Sequence, residues 1–247
     1  MGREAGSGGG ATTRAAGAGA ADVAARRAIF AGHALFGGLP AQDIDMLAGH
    51  ARRTVYRKGA VIFARGDEGR SLMAIRSGTV RISTMTVDGK EAVLNMLRAG
   101  QVFGEIALLD GKPRTADATA ASDCELIVLD RAEFVPLLRD NPDLALRIIS
   151  LLCARMRRTS EQIEDVMFLP LEARLAKALL RLAAEQGGGA TARARLVSVT
   201  QRDLGQMIGM SRESTNKQLT AWQREGWVRL VKGGVEILSP GALEDIA

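Results

Sequence analysis

The sequence contains little cysteine and little histidine, two of each among 247 residues. Two cysteines cannot supply a disulfide framework, a four-thiolate iron–sulfur cluster or a cysteine-based zinc site. No run of 18 apolar residues occurs, and the N-terminus lacks the apolar stretch of a secretory signal. We therefore expect a cytoplasmic protein that holds no metal or iron–sulfur cluster and has no membrane partner.

The composition is otherwise that of a globular protein. Hydrophobic residues make up 47% of the chain and charged residues 25%, and the length suits two domains. The net charge of +5 is compatible with a polyanionic partner, but this modest excess alone does not identify one.

The first half of the chain divides into a tail and a β-rich domain. Residues 1–27 contain nine Ala and seven Gly, which predicts a disordered tail. Apolar residues then recur at helical spacing to Ala51 and predict short helices. From Thr54 to about Leu129, short runs of Val, Ile and Leu alternate with glycines, and Asp88-Gly89 is typical of a hairpin turn. Residues 28–140 are therefore expected to form an antiparallel β-barrel or jelly roll.

A long helix and a basic domain are predicted to follow. Apolar residues recur at spacings of three, four and seven over residues 141–167, where a helix would be about 39 Å long. Its apolar stripe predicts pairing with a second copy of the chain, with packing on its own barrel as the alternative. Residues 168–247 carry eleven Lys or Arg and eight Asp or Glu, a net charge of +3, and are expected to form the second domain.

The run from Phe103 to Ala116 carries the residue types of an anion site. A glycine turn before a short helix presents backbone N–H groups that favour a phosphate. Arg114 adds a charged fork, Thr115 a hydroxyl, and Glu105 a carboxylate that can accept from a ribose hydroxyl. This combination suits a sugar phosphate. The alternative is an ordinary ion pair between Glu105 and Arg114.

The second domain carries a helix-turn-helix pattern between Thr200 and Lys217. Thr200 and Ser211 can each cap a helix, and Gly209 allows the sharp turn between the two helices. The second helix then begins with Arg212 and Glu213, whose side chains suit guanine and cytosine edges in the major groove. The alternative is a helix pair with solvated charges.

Two strand-like runs follow this helix pair and flank Lys232-Gly233-Gly234. They predict a hairpin that completes a winged helix. Lys232 at its tip could touch a DNA phosphate, although a single turn lysine is more often only solvated.

These motifs resemble known families. The run from Phe103 to Ala116 closely resembles the phosphate-binding cassette of cyclic-nucleotide-binding domains, and Ser211–Lys217 resembles the recognition helix of the CRP/FNR transcription regulators. The resemblance covers about residues 30–240 and is closest to the cAMP receptor protein branch. It implies an α+β fold with an N-terminal β-roll, a dimerisation helix and a C-terminal winged helix-turn-helix domain.

The resemblance also implies roles for particular residues. Glu105 would bind the ribose, and Arg114 and Thr115 the cyclic phosphate. The wider nucleotide site would comprise Ile82, Leu94, Gly104, Glu105, Ile106, Ala107, Arg114, Thr115, Thr159 and Ser160. The implied ligand is cAMP, with cGMP as the alternative, because Thr115 stands where the cAMP receptor protein carries Ser.

The DNA site implied by the resemblance comprises Thr200, Arg202, Ser211, Arg212, Glu213, Lys217 and Lys232. Lys217 departs from the family's usual Arg, which puts the preference at one base in doubt. The implied protein is a homodimer that binds palindromic DNA with TGTGA-like half-sites, interacts with RNA polymerase and is not an enzyme. Haem is not expected, because His33 and His50 precede the barrel.

Two other functions stay open. A regulator of this family could work without ligand, although Glu105 and Arg114 argue against it. A cyclic-nucleotide-binding regulatory subunit could instead act on a partner enzyme, but the pattern over Ser211–Lys217 favours DNA binding.

Overall fold

The computed structural model describes residues 20–33, 35–85, 87, 89, 91–186 and 195–247. These residues form two compact units of an α+β fold. The first unit takes in the described residues up to Thr84 together with Asn95–Leu151, and the second takes in Met85–Leu94 and Leu152–Ala247. None of the described helices is long and apolar enough to span a membrane.

Two helices precede the sheets of the first unit. They are α1 (Ala20–Gly32) and α2 (Ala41–His50). The strands and helices that follow are β1 (Arg52–Tyr56), β2 (Val61–Phe63), β3 (Ser71–Ser77), β4 (Thr79–Met85), β5 (Glu91–Arg98), β6 (Val102–Phe103), α3 (Glu105–Asp110), β7 (Asp117–Ala120), β8 (Cys124–Asp130) and α4 (Arg131–Asp140).

The strands form two four-stranded sheets, in the orders β1-β8-β3-β6 and β2-β7-β4-β5. The pairings are antiparallel, as in Ser71–Asp130 between β3 and β8 and Ile82–Ala118 between β4 and β7. Alternate side chains of both sheets enter one apolar cluster, which includes Phe103 and Leu126. The predicted antiparallel β-roll of an α+β fold is confirmed.

The prediction of a disordered tail over residues 1–27 is wrong at the C-terminal end of that range. Ala20–Arg27 belong to the helix α1. Alanine has the highest helix propensity of the amino acids. Two side chains of α1 also contact residues of α2. Arg26 Nε donates to the Ala48 carbonyl at 2.7 Å, and Arg27 Nε lies 2.5 Å from the Asp45 carboxylate. Docking on α2 therefore orders a segment whose composition resembles a linker. Residues 1–19 lie outside the described residues.

The predicted hairpin between β4 and β5 is described only in part. Its strands are present on either side, and Gly89 has a φ of 80°, the left-handed conformation that favours glycine. Asp88, the other residue of the predicted turn, lies outside the described residues.

The long helix α5 (Pro142–Phe168) follows Asn141, one residue after the predicted start. The second unit then contains α6 (Leu171–Glu185), β9 (Arg195–Val197), α7 (Gln201–Ile208), α8 (Arg212–Arg224), β10 (Val228–Val231), β11 (Gly234–Ile237) and α9 (Pro240–Glu244). Strands β10, β11 and β9 form an antiparallel sheet in that order. Apolar side chains from the helices and the sheet share one core around Leu179, Leu219 and Trp222.

Candidate functional site

A glycine turn leads from β6 into α3 in the first unit. Gly104 has a φ of 81° and stands at the N-cap of α3. A Cβ at Gly104 would lie 2.6 Å from Arg114 Nη1, so both the backbone conformation and the close approach require glycine. The predicted glycine turn before a short helix is therefore present.

Arg114 lies under this turn and is only 5% exposed. Its Nη1 donates to the Gly104 carbonyl at 2.8 Å. Its Nη2 donates to the Ser71 carbonyl at 2.9 Å and to Ser71 Oγ at 3.1 Å. The guanidinium carbon lies 4.2 Å from the centre of the Phe63 ring. Arg114 thus connects β2, β3 and the turn before α3.

Two buried groups of opposite charge meet in this region. Glu105, the first residue of α3, is 1% exposed. Burial lowers the pKa of Arg114, while the nearby carboxylates of Glu105 and Asp67 act in the opposite direction. A buried cation and a buried carboxylate beside a glycine turn can bind an anion and accept from a hydroxyl.

The other predicted residues of the nucleotide site lie on several elements. Ala107 is buried in α3, whereas Ile106 and Thr115 are exposed. Ile82 is half-buried on β4 of the first unit. Leu94 is exposed on β5, in the segment Met85–Leu94 that belongs to the second unit.

Thr159 and Ser160 are exposed residues of α5, in the part that belongs to the second unit. Thr159 Oγ1 donates to the Arg155 carbonyl one turn earlier at 3.0 Å. This is the local bond with which a mid-helix threonine satisfies its hydroxyl. The predicted contact of these two residues with a nucleotide stays a prediction.

The helix-turn-helix geometry of the second unit agrees with the cap pattern of the sequence. Thr200 Oγ1 accepts from the Asp203 N–H at 3.0 Å and donates to Asp203 Oδ2 at 2.6 Å. Ser211 Oγ accepts from the Ser214 N–H at 3.1 Å. Gly209 ends α7 with a φ of 77°. Both helices therefore begin where their capping residues predict.

The packing of α7 on α8 explains a polar residue inside the pair. Thr215 is 0% exposed, and its Oγ1 donates to the Ser211 carbonyl at 2.9 Å. A Cβ at Gly205 would lie 2.7 Å from this Oγ1 and 2.8 Å from the Met210 carbonyl oxygen. Gly205 thus permits the close approach of the helices.

The outer face of α8 presents charge. Arg212 and Glu213 are exposed in its first turn, and Lys217 is exposed one turn later. Lys232 is exposed in the turn between β10 and β11. Such a helix can offer donors and an acceptor to base edges, with the hairpin as a wing.

Arg202 is exposed on α7, the helix expected to cross the DNA backbone. Its Nη2 lies 3.9 Å from Glu91 Oε2, and Gln206 Nε2 donates to the same oxygen at 3.1 Å. Glu91 belongs to the segment Met85–Leu94 of the second unit.

Comparison with known proteins identifies the two domains in which these candidate sites lie. A family model of the cyclic nucleotide-binding domain matches residues 53–141, and a model of the Crp-like helix-turn-helix domain matches residues 173–246. The cyclic AMP receptor protein of Thermus thermophilus is 36% identical over 216 residues, which cover 87% of this chain and 97% of that protein. The chain belongs to the CRP/FNR family of transcription regulators.

Two further members of the CRP/FNR family are similar to this chain over most of their length. A CRP-like cAMP-activated global transcriptional regulator of Mycobacterium tuberculosis is 32% identical over 203 residues, covering 82% of this chain and 91% of that protein. A crystal structure of a CRP-family transcriptional regulator from Thermus thermophilus matches with a TM-score of 0.65 at 26% identity, covering 78% of this chain and 96% of that one. The chain is therefore a DNA-binding regulator with a cyclic-nucleotide-binding domain, and not an enzyme, as predicted.

The sequence did not reveal several residues that contact the candidate nucleotide site of this CRP/FNR regulator. Phe63 and Ser71 contact Arg114 from positions more than forty residues earlier in the chain. A Cβ at Gly69 would overlap the Ala107 Cβ, so the loop before β3 packs directly on α3. Only the spatial pairing of β2 and β3 with later segments brings these residues to the site.

Metal-ligating side chains are not grouped in the described ranges, where no three His, Cys, Asp or Glu residues lie close enough to hold an ion. Cys124 is buried in the β-roll, and Cys153 is half-buried on α5. The expectation that the protein needs no metal or haem stays a prediction.

Proposed function

We propose that the protein is a cytoplasmic, homodimeric transcription regulator that binds cAMP and thereby favours its DNA-binding form. Residues 28–140 bind the nucleotide, 141–167 form the dimerisation helix, and 168–247 bind DNA and act with RNA polymerase. The observation that carries the proposal is the buried Arg114 beside Glu105 at the Gly104 turn. A cation buried to this extent gains most from an anionic ligand that it binds directly.

The chemistry of the first unit favours a nucleotide with a cyclic phosphate. Arg114 supplies positive charge for the phosphate, and Glu105 an acceptor for the ribose hydroxyl. Thr115 adds an exposed hydroxyl, and in this proposal Ile82, Leu94, Thr159 and Ser160 surround the base. Two relatives are named for cAMP, which supports cAMP over cGMP.

An apolar stripe on α5 supports the dimer. Large apolar side chains are exposed along this helix at spacings of three and four, which is the seam of a coiled coil. They are Leu146, Ile149, Met156, Ile163 and Met167, with Cys153 and Ser160 at the two intervening positions. A second copy of α5 would bury these side chains around a two-fold axis.

The α8 surface supports specific recognition of DNA. Arg212 can donate to both guanine acceptors and Glu213 can accept from cytosine, so the first turn of α8 reads base edges. Arg202, Lys217 and Lys232 add positive charge for the phosphates. Two copies of α8 in a two-fold dimer match a palindrome with half-sites about one helical turn apart.

Fluorescence anisotropy on a labelled palindrome with TGTGA-like half-sites tests the proposal. The purified protein is titrated at one fixed salt concentration without nucleotide, with cAMP and with cGMP, since phosphate contacts make the affinity salt-dependent. We expect cAMP to tighten DNA binding at least about tenfold, which corresponds to about 1.4 kcal/mol of coupling.

Two variants serve as controls for this titration. Arg114→Gln should abolish the response to cAMP and keep the nucleotide-free DNA affinity. Arg212→Ala should weaken DNA binding both with and without cAMP. Equal DNA affinity of the unmodified protein in all three conditions would contradict the switch and favour a ligand-independent regulator, whereas absence of DNA binding would contradict the role of α8.

A further inference from the structure

We propose that Phe63 and Ser71 are positioning residues for nucleotide binding: together they hold the guanidinium of Arg114 in the orientation that receives the phosphate. The inference rests on the proposed nucleotide site and extends it to two residues that do not belong to the glycine turn. Neither residue is expected to touch the nucleotide, because each acts through Arg114.

Phe63 fixes the face of the guanidinium. The Arg114 guanidinium carbon lies 4.2 Å from the ring centre, within the range of a cation–π interaction. The ring itself is held by Phe103, whose centre lies 5.8 Å away at an interplanar angle of 36°. Phe103 is part of the core of the β-roll, so the platform under Arg114 is anchored to that core.

Ser71 fixes the rotation of the guanidinium within its plane. Arg114 Nη2 donates to both the carbonyl and the hydroxyl of Ser71, and Nη1 donates to the Gly104 carbonyl. Both Nη atoms of Arg114 therefore donate hydrogen bonds to protein acceptors. Ser71 is the first residue of β3 and pairs with Asp130 on β8, so its position is set by the sheet.

The Nε donor of Arg114 remains available to a ligand. Among the residues that the structure describes, none accepts a hydrogen bond from the buried Nε. Burial also lowers the pKa of Arg114, which shows that this cation is incompletely compensated where it lies. An anion at Nε would supply the missing acceptor and the missing charge.

These contacts favour nucleotide binding because they preorganise the side chain of Arg114. A free arginine side chain must lose rotamer freedom when it binds a phosphate, and a guanidinium already fixed on its face and edge loses less. Removing the ring or the hydroxyl should therefore weaken nucleotide binding without removing a ligand contact.

Calorimetric titration with cAMP and cGMP tests the two residues in the full-length protein. For whichever of these nucleotides binds, we expect Phe63→Leu and Ser71→Ala each to weaken binding about threefold to tenfold, the range of one cation–π contact or one typical hydrogen bond. The conservative variants Phe63→Tyr and Ser71→Thr, which keep the ring face and the hydroxyl, should restore it. Tyr56→Leu is the matched control, because Tyr56 packs against the same core cluster and should affect stability alone.

The outcomes separate this inference from the proposed function. If the unmodified protein binds neither nucleotide, both are overturned. If the unmodified protein binds a nucleotide and Arg114→Gln does not, the proposed site is supported. In that case, the positioning role is overturned if Phe63→Leu and Ser71→Ala bind the nucleotide as tightly as the unmodified protein does. A loss that Phe63→Tyr and Ser71→Thr fail to restore, or that Tyr56→Leu reproduces, overturns it as well. Because Ser71→Ala removes a single oxygen atom, it keeps the test decisive should Phe63→Leu fail to fold.

Discussion

At the scale of the residue, buried polar side chains mark the places where the two units depart from an apolar core. A buried polar group costs free energy unless a partner satisfies it. Thr215 satisfies its hydroxyl locally through the Ser211 carbonyl, so it serves the packing of α7 on α8. Arg114 is satisfied through Ser71 and Gly104 at both Nη atoms, but not at Nε by any described residue. The Nε of Arg114 is therefore available to a ligand, whereas the Thr215 hydroxyl is not.

His33 is a buried residue whose protonation should limit stability at low pH. Burial lowers the pKa of His33 below its ordinary value of about 6.5, and its Nδ1 accepts from the Leu35 N–H at 3.1 Å. The unfolded chain therefore binds the proton at a higher pH than the folded chain does. The contribution of neutral His33 to the free energy of unfolding is fully present above about pH 6.5 and is lost as the pH falls below that value.

Urea unfolding between pH 5 and 8 measures this effect. We expect the free energy of unfolding to fall on acidification, and the fall to be shallower in His33→Gln. An unchanged slope in His33→Gln would contradict the assignment to His33.

At the scale of the element, the helix pair α7 and α8 depends on one glycine. Alanine at Gly205 would place its Cβ within 3 Å of Thr215 Oγ1 and the Met210 carbonyl oxygen. We expect Gly205→Ala to lower the free energy of unfolding of the second unit by about 1–3 kcal/mol, the cost of overpacking a close contact. Differential scanning calorimetry checks this.

Gly241→Ala is the matched control for that measurement. Gly241 lies on α9, and a Cβ there would meet no atom of the described residues within 4 Å. Its stability should be unchanged or slightly raised, because alanine favours helix. Equal effects of the two substitutions would contradict close packing at Gly205.

The first turn of α8 should determine sequence preference. We expect Arg212→Ala to cost about 1–3 kcal/mol on the palindrome, because the bidentate contact with guanine is lost, and much less on a duplex in which that guanine is replaced. Arg224→Ala, at the exposed end of the same helix, should bind both duplexes as the unmodified protein does. Anisotropy titrations on the two duplexes measure the difference, and an equal loss on both would assign Arg212 to a phosphate instead.

The sequence predicts the helices and strands whose boundaries depend on residues close together in the chain. The start of α7 and of α8 follows from Thr200 and Ser211, because a cap and its partner N–H lie within three residues. The start of α1 could not be predicted in this way, because an Ala-rich segment becomes helical here through its docking on Ala48 and Asp45. Phe63 likewise reaches Arg114 only through the pairing of β2 with β7, a long-range arrangement that carries no local signal.

At the scale of the whole molecule, the dimer is the requirement of the proposed function that is simplest to test. In a parallel coiled coil, Cys153 would face the same residue of the second copy across the two-fold axis. We expect mild oxidation to give a disulfide-linked dimer that Cys153→Ser prevents. Cys124→Ser is the control and should still cross-link, since Cys124 is buried in the β-roll. A mass of 26.2 kDa in solution, with no cross-linked product, would contradict the dimer.

A regulator switched by its nucleotide requires a free-energy coupling between nucleotide binding and DNA binding. If cAMP tightens DNA binding, thermodynamic linkage requires DNA to tighten cAMP binding by the same factor. This reciprocity holds whatever structural path connects the two sites, so it tests the claim independently of any assumed movement.

The most direct measurement is the affinity for cAMP, determined by calorimetry with the protein free and with the protein saturated by the palindromic duplex at the same salt concentration. We expect an affinity for cAMP at least about tenfold higher on the duplex, matching the factor by which cAMP raises the DNA affinity. Equal cAMP affinities in the two titrations would contradict a regulator switched by its nucleotide.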